Sequence, residues 1–265
     1  MERFLGKNIV VTDSGIGGLT VLNKIANEIA FDNLYYYGDG ENMPYGNKSF
    51  RRLQQIAFDN FKLFETLKAN CVVVACNTLS TVITSKITEL FNFKFFGVYP
   101  PVYREIVSGK KSVLVATEKT CSFYNKEIRT MPLANFATDI ENNIFNLSKI
   151  DIEKYFYNFP KDCNGAILGC THYVYLENQI KDFLKVLITS CNDYTVKIIS
   201  NYLSQPLFSK KFANLDHRNK NFDHFDHKNL KTCEFYLKNG ENKGKCIVFV
   251  GFCCEKYKEI FSKFY

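Results

Sequence analysis

Short apolar runs alternate along the first part of the chain with longer segments in which apolar residues recur every three or four positions. The apolar runs, which end at Gly, Pro or polar residues, are 8–12, 34–37 and 71–75. Helical periodicity covers residues 19–30, 49–68 and 79–90. Strands that alternate with helices in this way predict βαβ units and a parallel sheet.

The same alternation restarts near residue 95 and predicts a second α/β unit. An apolar run at residues 95–98 leads into it across the expected crossing at residues 97–101, and its predicted strands are residues 112–116, 165–169 and 186–188. Its predicted helices are residues 120–130, 150–158, 173–186 and 193–203. Residues 208–229 are polar and predict an exposed loop, whereas ordered patterning resumes over residues 231–265. We therefore expect a first lobe of residues 1–97 plus 206–265 and a second lobe of residues 98–205.

Two cysteines occupy matching positions in these two units. Cys76 follows the apolar run 71–75, and Cys170 follows the run 165–169. In an open α/β sheet the carboxyl ends of the strands border the ligand crevice. A helix N-terminus lowers the pKa of a thiol from its usual value of about 8.5, so such a cysteine can accept a weakly acidic proton. One such cysteine could be a nucleophile or a structural residue, but two favour proton transfer on opposite faces of a substrate.

Polar residues follow each thiol directly. They are Asn77 and Thr78 after the first, and Thr171 and His172 after the second. Each could cap its helix, which is the usual role of Asn and Thr there, or donate a hydrogen bond to a carboxylate. His172 could be a satisfied core histidine or could manage protons beside the thiol, since its ordinary pKa is near 6.5.

A glycine-rich loop, residues 13–18, follows the first predicted strand. Its backbone N–H groups could bind an anionic ligand, or Asp13 or Ser14 could simply cap the following helix. The loop partly matches a dinucleotide fingerprint, with Asp39 near the ribose-binding position. However, Thr20 stands in place of the third glycine, which disfavours that interpretation.

Two further segments carry candidate chemistry. The turn at residues 44–46 would bring the Tyr45 hydroxyl and the Gly46 amide to the same rim as the thiols. Three histidines and three aspartates lie within residues 216–227, where a metal site is an alternative to a solvated loop. No cysteine lies there at zinc-site spacing, so we favour the loop and predict no metal site.

Composition narrows the class of protein. The net charge of +7 and pI of about 8.8 mildly favour anionic small molecules, but the lysines form no basic patch interleaved with aromatic residues, so no nucleic-acid partner is predicted. No run approaches the roughly 18 apolar residues that a membrane helix needs, and no signal peptide is evident. The ten cysteines include no Cys-x-x-Cys pair and predict free thiols, which is typical of a cytoplasmic protein.

The motifs taken together resemble those of the glutamate racemases, within the cofactor-independent aspartate/glutamate racemase group. The resemblance covers residues 8 to about 200 and includes the order and spacing of the motifs. The matching stretches are residues 13–22, 36–39, 44–49, 75–78 and 168–173.

This resemblance implies an α/β fold of two pseudo-symmetric lobes, each a mostly parallel sheet flanked by helices, with glutamate bound in the cleft between them. It implies that no cofactor is used and that Cys76 and Cys170 are the two acid/base groups. The Cys76 position would take the α-proton from D-glutamate and the Cys170 position from L-glutamate, and the D-glutamate would supply peptidoglycan synthesis.

The resemblance also assigns supporting residues. The groups implied to assist catalysis are Asp13, Asp39, Glu141 and His172. The residues implied to contact the substrate are Asp13, Ser14, Tyr45, Gly46, Asn77, Thr78, Thr171 and His172. The sequence departs from the family pattern at positions that could reshape the pocket, among them Met43 and Leu79. A racemase for another acidic amino acid such as aspartate, a non-catalytic relative that binds an amino acid or a partner, and a homodimer all stay open.

Overall fold

The computed structural model describes residues 7–203, 231–237, 242, 244–251 and 253–265. The polar segment 208–229, with its histidines and aspartates, lies outside the described residues. No helix in the described ranges is long and apolar enough to cross a membrane.

The described strands form two sheets. The first runs in the order β4-β3-β1-β2-β10-β9, and all of its strands are parallel except the edge strand β9. Its strands are β1 (Asn8–Asp13), β2 (Asn33–Gly38), β3 (Cys71–Val74), β4 (Lys94–Gly97), β9 (Thr232–Tyr236) and β10 (Cys246–Val250). The second sheet is fully parallel in the order β6-β5-β7-β8. Its strands are β5 (Ser112–Ala116), β6 (Thr130–Pro132), β7 (Gly165–Leu168) and β8 (Leu187–Ser190).

The two sheets share one topology. In the first, β2 pairs on one side of β1, β3 on the other, and β4 beyond β3. In the second, β6, β7 and β8 take the same places around β5. The thiols therefore follow equivalent strands, β3 and β7. The predicted fold class, two pseudo-symmetric and mostly parallel α/β units, is confirmed.

Helices connect the strands in both units. They are α1 (Leu19–Glu28), α2 (Phe50–Thr66), α3 (Asn77–Ser80), α4 (Ser85–Thr88), α5 (Val102–Val107), α6 (Glu118–Tyr124), α7 (Phe136–Asn142), α8 (Ile152–Phe156), α9 (Glu177–Leu184), α10 (Asn192–Leu203) and α11 (Cys254–Phe264). Short 3-10 segments add Gly40–Asn42, Leu147–Lys149 and Thr171–Leu176.

Three predicted helices differ from the observed ones. The segment 79–90 forms two separate turns, α3 and α4, because the intervening β-branched residues 81–84 disfavour a continuous helix. The segment 120–130 is helical only to Tyr124, and Thr130 begins strand β6, which pairs with β5. The segment 173–186 begins as a 3-10 turn before α9. Helix α7 is too short for its apolar residues to show a period, and the sequence pattern missed it.

A buried apolar core joins the two units. One cluster includes residues of both sheets, such as Val11 and Leu168, together with Leu19 of α1 and Val196 of α10. Helices α1 and α10 pack on each other, and the Asn192 amide donates to the Thr20 hydroxyl at 2.7 Å. This contact fixes the two carboxyl-terminal sheet edges relative to one another.

Aromatic rings fill the opposite face of the first sheet. Phe61 of α2 is fully buried, and its ring centroid lies 4.7 Å from that of Phe95 and 5.6 Å from that of Phe91. Phe64 and Phe93 complete its surroundings. We infer that this ring anchors α2 to the sheet.

Replacing this ring should cost the protein much of its stability. We expect Phe61→Ala to lower the free energy of unfolding by roughly 3–5 kcal/mol, because it removes a buried ring and leaves a cavity. Phe50→Ala, on the same helix but 47% exposed, is the matched control and should cost far less. Urea unfolding of both variants measures the difference, and equal losses would contradict this account of the core.

Candidate active site

The carboxyl ends of four strands, β1 and β3 of the first sheet and β5 and β7 of the second, open into one cavity of about 150 Å³. The side chains that follow these strands line it: Asp13, Ser14, Cys76, Asn77, Thr78, Thr117, Glu118, Cys170, Thr171 and His172. Pockets for drug-sized ligands run from roughly 300 to 1,000 Å³, so this cavity suits a smaller, polar molecule.

The two predicted thiols both reach this cavity. Cys76 is 6% exposed and caps the N-terminus of α3 through its backbone, and Cys170 is 8% exposed before a 3-10 turn. Burial raises the pKa of Cys76 well above its usual range, and the charges of Asp13 and Cys170 raise it further. The Leu79 N–H and the Ser14 hydroxyl oppose this rise in the Cys76 pKa. At neutral pH Cys76 is therefore a protonated thiol.

A chain of polar groups leads away from the second thiol. His172 Nδ1 lies 3.9 Å from Cys170 Sγ, and His172 Nε2 lies 2.9 Å from Glu141 Oε2. Burial alone would lower the pKa of His172, but the hydrogen bonds to Cys170 and Glu141 prevail and raise it to about 10. Burial raises the pKa of Glu141, yet its hydrogen bond and ion pair with His172 lower it to about 2. The pair is therefore imidazolium and carboxylate at neutral pH.

The glycine-rich loop packs directly against this chain of groups. The Ile16 N–H donates to Glu141 Oε2 at 2.8 Å. A Cβ at Gly15 would collide with the same carboxylate, and a Cβ at Gly17 would collide with Thr171 and His172. Here the anion bound by the loop N–H is the chain's own Glu141. The helix-capping interpretation of the loop is wrong, because Gly18 is the N-cap of α1 and no side chain caps it.

Two hydrogen bonds of equivalent design cross between the units. The Thr171 hydroxyl donates to Asp13 Oδ2 at 2.8 Å, and the Thr78 and Thr117 hydroxyl oxygens lie 2.8 Å apart. In each case a residue at or just after the end of the first strand of one sheet meets a residue just beyond the cysteine of the other. The sequence interpretation missed Thr117. Its position after β5, equivalent to that of the loop after β1, is the signal that could have revealed it.

The remaining predicted residues lie in a second layer or at the mouth of the cavity. Asp39 does not line the cavity. It accepts hydrogen bonds from the Tyr45 hydroxyl at 2.6 Å and from the Asn42 amide at 3.0 Å, so it orients Tyr45, which does line it. Gly46 lines the cavity, where an added Cβ would lie 3.1 Å from Thr117.

The polar residues beside the thiols do not cap the helices that they begin. The Asn77 amide donates to the Val98 carbonyl at 2.9 Å and also contacts Cys191 Sγ at 3.5 Å. Neither α3 nor the 3-10 turn after Cys170 has a side-chain cap, so the capping roles considered for these residues are not found. The polar side chains are held in place by contacts with the protein itself.

The two flagged departures from the family pattern fall in different places. Met43 lines the cavity, whereas Leu79 is buried in the core of the first unit. Only Met43 of these two can therefore touch a ligand in the cavity.

The described residues offer little to a larger ligand or an ion. No group of three or more His, Cys, Asp or Glu side chains within them could hold a metal ion. Thr20, where a dinucleotide loop would have its third glycine, bonds to the Gly17 carbonyl and to Asn192. That position is taken up by packing between α1 and α10.

Comparison with known proteins shows which family this chain resembles over most of its length. No family model matches the sequence. A curated glutamate racemase from Buchnera aphidicola is 30% identical, over 91% of this chain and 95% of that protein. A second, from Clostridium acetobutylicum, is 31% identical over 65% of this chain and 74% of that protein.

Solved structures agree with the sequence relatives. A glutamate racemase isoform from Bacillus anthracis superposes with a TM-score of 0.66 at 27% identity, covering 74% of this chain and 81% of that one. The Francisella tularensis glutamate racemase, solved in complex with D-glutamate, gives a TM-score of 0.63 at 25% identity, covering 79% and 84%. The curated Buchnera relative matches over nearly its full length at 30% identity, and both thiols of this chain reach one cavity. The chain therefore belongs to the glutamate racemase family.

Proposed function

We propose that this protein interconverts L-glutamate and D-glutamate by proton transfer at Cα between Cys76 and Cys170. One observation carries the proposal: the two cysteines end equivalent strands of two equivalent sheets and line the same cavity. A carbon held between two such groups can lose a proton on one face and gain one on the other.

The charges around the two thiols favour one starting state. Cys76 is a thiol, since burial raises its pKa, whereas the His172 imidazolium beside Cys170 is placed to stabilise a thiolate there. In this state the Cys170 thiolate takes the α-proton of L-glutamate, and the Cys76 S–H then gives its proton to the opposite face of Cα. The products are D-glutamate, a Cys170 thiol and a Cys76 thiolate. The reverse reaction begins from that second state.

The Cys76 thiolate also has stabilising partners. The Leu79 N–H and the Ser14 hydroxyl both favour the ionised sulfur. Because neither partner carries a charge, this thiolate is held more weakly than one beside an imidazolium. The two thiols are therefore supported by different means although their strands are equivalent.

Removal of the α-proton places negative charge on the substrate α-carboxylate. Ser14, Asn77, Thr78 and Thr171 line the cavity as neutral hydrogen-bonding groups. Fixed dipoles in a poorly hydrated cavity stabilise developing charge without pairing away the thiolate. Hydrogen bonds within the protein orient these groups, such as those from Thr171 to Asp13 and from Asn77 to the Val98 carbonyl.

We also propose a cellular location and a metabolic role for the reaction. We place it in the cytoplasm, where it would supply D-glutamate for peptidoglycan synthesis. We also propose lobe boundaries of 1–97 plus 206–265 and 98–205; the pairing of β10 with β2 supports the return of the C-terminal segment to the first lobe.

Deuterium exchange tests the proposal directly. In heavy water we expect the protein to incorporate deuterium at Cα of both glutamate enantiomers and to abolish the circular dichroism of either solution. Cys76→Ala and Cys170→Ala should each reduce racemisation by roughly 10²-fold to 10⁴-fold, since each removes one proton carrier. Cys163 is half-buried and does not line the cavity, so Cys163→Ala is the control and should retain activity. Unchanged exchange in both cavity variants would refute the mechanism.

Substrate choice separates glutamate from aspartate. If the cavity is built for glutamate, kcat/KM for L-glutamate should exceed that for L-aspartate. Preferred turnover of aspartate would instead assign the protein to the other acidic substrate. Stabilisation by an amino acid in a thermal melt, without exchange at Cα, would indicate a binding protein.

The Glu141–His172 pair should leave a signature in the pH dependence of stability. The raised pKa of His172 stabilises the fold fully below pH 6.5, and this contribution is lost as the pH rises towards about 10. The lowered pKa of Glu141 stabilises the fold above pH 4.5, and this contribution is lost as the pH falls towards about 2. The pair therefore contributes most between pH 4.5 and 6.5.

We expect Glu141→Gln to lower the melting temperature most within that window, with a smaller loss at higher pH. Glu89→Gln, an exposed carboxylate on the same protein, is the control and should change little. Thermal melts from pH 4 to pH 10 provide the measurement. A loss that is the same at every pH would show that the pair is not ionised as described.

A further inference from the structure

Lys256 on the C-terminal helix reaches the polar chain behind Cys170. Its Nζ lies 2.6 Å from Glu141 Oε1. The lysine side chain is 42% exposed, whereas the Glu141 side chain is 7% exposed and His172 is 2% exposed. A surface lysine thus closes the outer end of a buried chain of charges.

The two oxygens of Glu141 have separate partners. Oε2 accepts from the Ile16 N–H and faces His172 Nε2, whereas Oε1 accepts from Lys256. A carboxylate held at both oxygens cannot rotate about its last bond without breaking a charged hydrogen bond. Lys256 therefore helps keep Oε2 pointed at His172.

Charge is the second consequence. His172 and Lys256 each carry +1 and Glu141 carries −1, so the ionised trio has a net charge of +1 behind Cys170. Without the lysine, the remaining pair of His172 and Glu141 would have no net charge. A thiolate at Cys170 would then lose stabilising positive charge, reduced in size because the lysine is partly in water.

The surroundings of Cys76 differ. Burial affects its pKa most, and the other main influences on that pKa are the Asp13 and Cys170 charges, the Ser14 hydroxyl and the Leu79 N–H. Lys256 is not among them. A change at Lys256 should therefore weaken the stabilisation of a thiolate at Cys170 without weakening that at Cys76.

We propose that Lys256 is a positioning residue for the Cys170 half of the reaction, acting through Glu141 and His172. This rests on the proposed function only for its catalytic consequence; the effect on the thiol stands without it. Helix α11 also packs on β2, β9 and β10, so the C-terminal segment of the chain completes the site by this contact.

Thiol alkylation tests the proposal independently of racemase activity. The full-length protein is treated with iodoacetamide at pH 7, and the rates at Cys170 and Cys76 are measured separately by mass spectrometry of their peptides. Lys256→Met should slow alkylation of Cys170 by about threefold to fivefold, the size expected of a solvent-screened charge, and should not slow alkylation of Cys76. Lys256→Arg should restore the rate. Lys258→Met, the same charge change on the same helix, is the control and should match the parent protein.

Racemisation provides the second measurement. Because L- and D-glutamate have equal free energies in water, kcat/KM must fall by the same factor in both directions in Lys256→Met, and Lys256→Arg should recover it. Unchanged alkylation of Cys170, or equal slowing at Cys76 and Cys170, would overturn the proposal, the second by showing a general loss of structure. Slowed alkylation of Cys170 alone, in a protein that racemises nothing, would uphold the role of Lys256 and reject the proposed function.

Discussion

The buried ion pair between Glu141 and His172 is the contact on which the site most depends. It draws a loop of the first unit, a helix of the second and the C-terminal helix onto one carboxylate. Burying two charges is costly unless each is paired and hydrogen-bonded, and here every oxygen of Glu141 has a donor. The glycines at 15 and 17 follow from this contact, since a side chain at either would push the second unit away. The two units stay together at this point because Glu141 of the second unit also accepts from the Ile16 N–H of the first unit and from Lys256.

The equivalence of the two sheets extends to their hydrogen bonds but not to their charges. Each cysteine ends an equivalent strand, and matching hydroxyl contacts, Thr171 with Asp13 and Thr78 with Thr117, cross between the units. Yet within the described part of the chain it is Cys170 that has a charged histidine beside it, while Asp13 raises the pKa of Cys76. A reaction between mirror-image substrates needs two proton carriers, but it does not need identical ones. The two thiols therefore have different electrostatic surroundings although their strands are equivalent.

Much of the fold could be predicted from sequence because strands and their flanking turns are local patterns. The same patterns indicated both cysteines and the loop at 13–18. Glu141 entered only through family resemblance, since α7 is too short to show a period. Thr117 and Lys256 had no local signal, because their partners, Thr78 and Glu141, are distant in the chain. The interpretation of the glycine loop was incomplete for the same reason: its anion comes from residue 141, and no pattern near residue 16 reveals it.

The central claim is that one carbon lies between the two sulfur atoms. A crystal structure of this protein with glutamate bound measures that arrangement directly. The account predicts Sγ of Cys76 and Sγ of Cys170 on opposite faces of the substrate Cα, each within about 3–4 Å, the range of near-attack geometry. Glutamate bound with both sulfur atoms on one face of Cα, or bound outside this cavity, would contradict it.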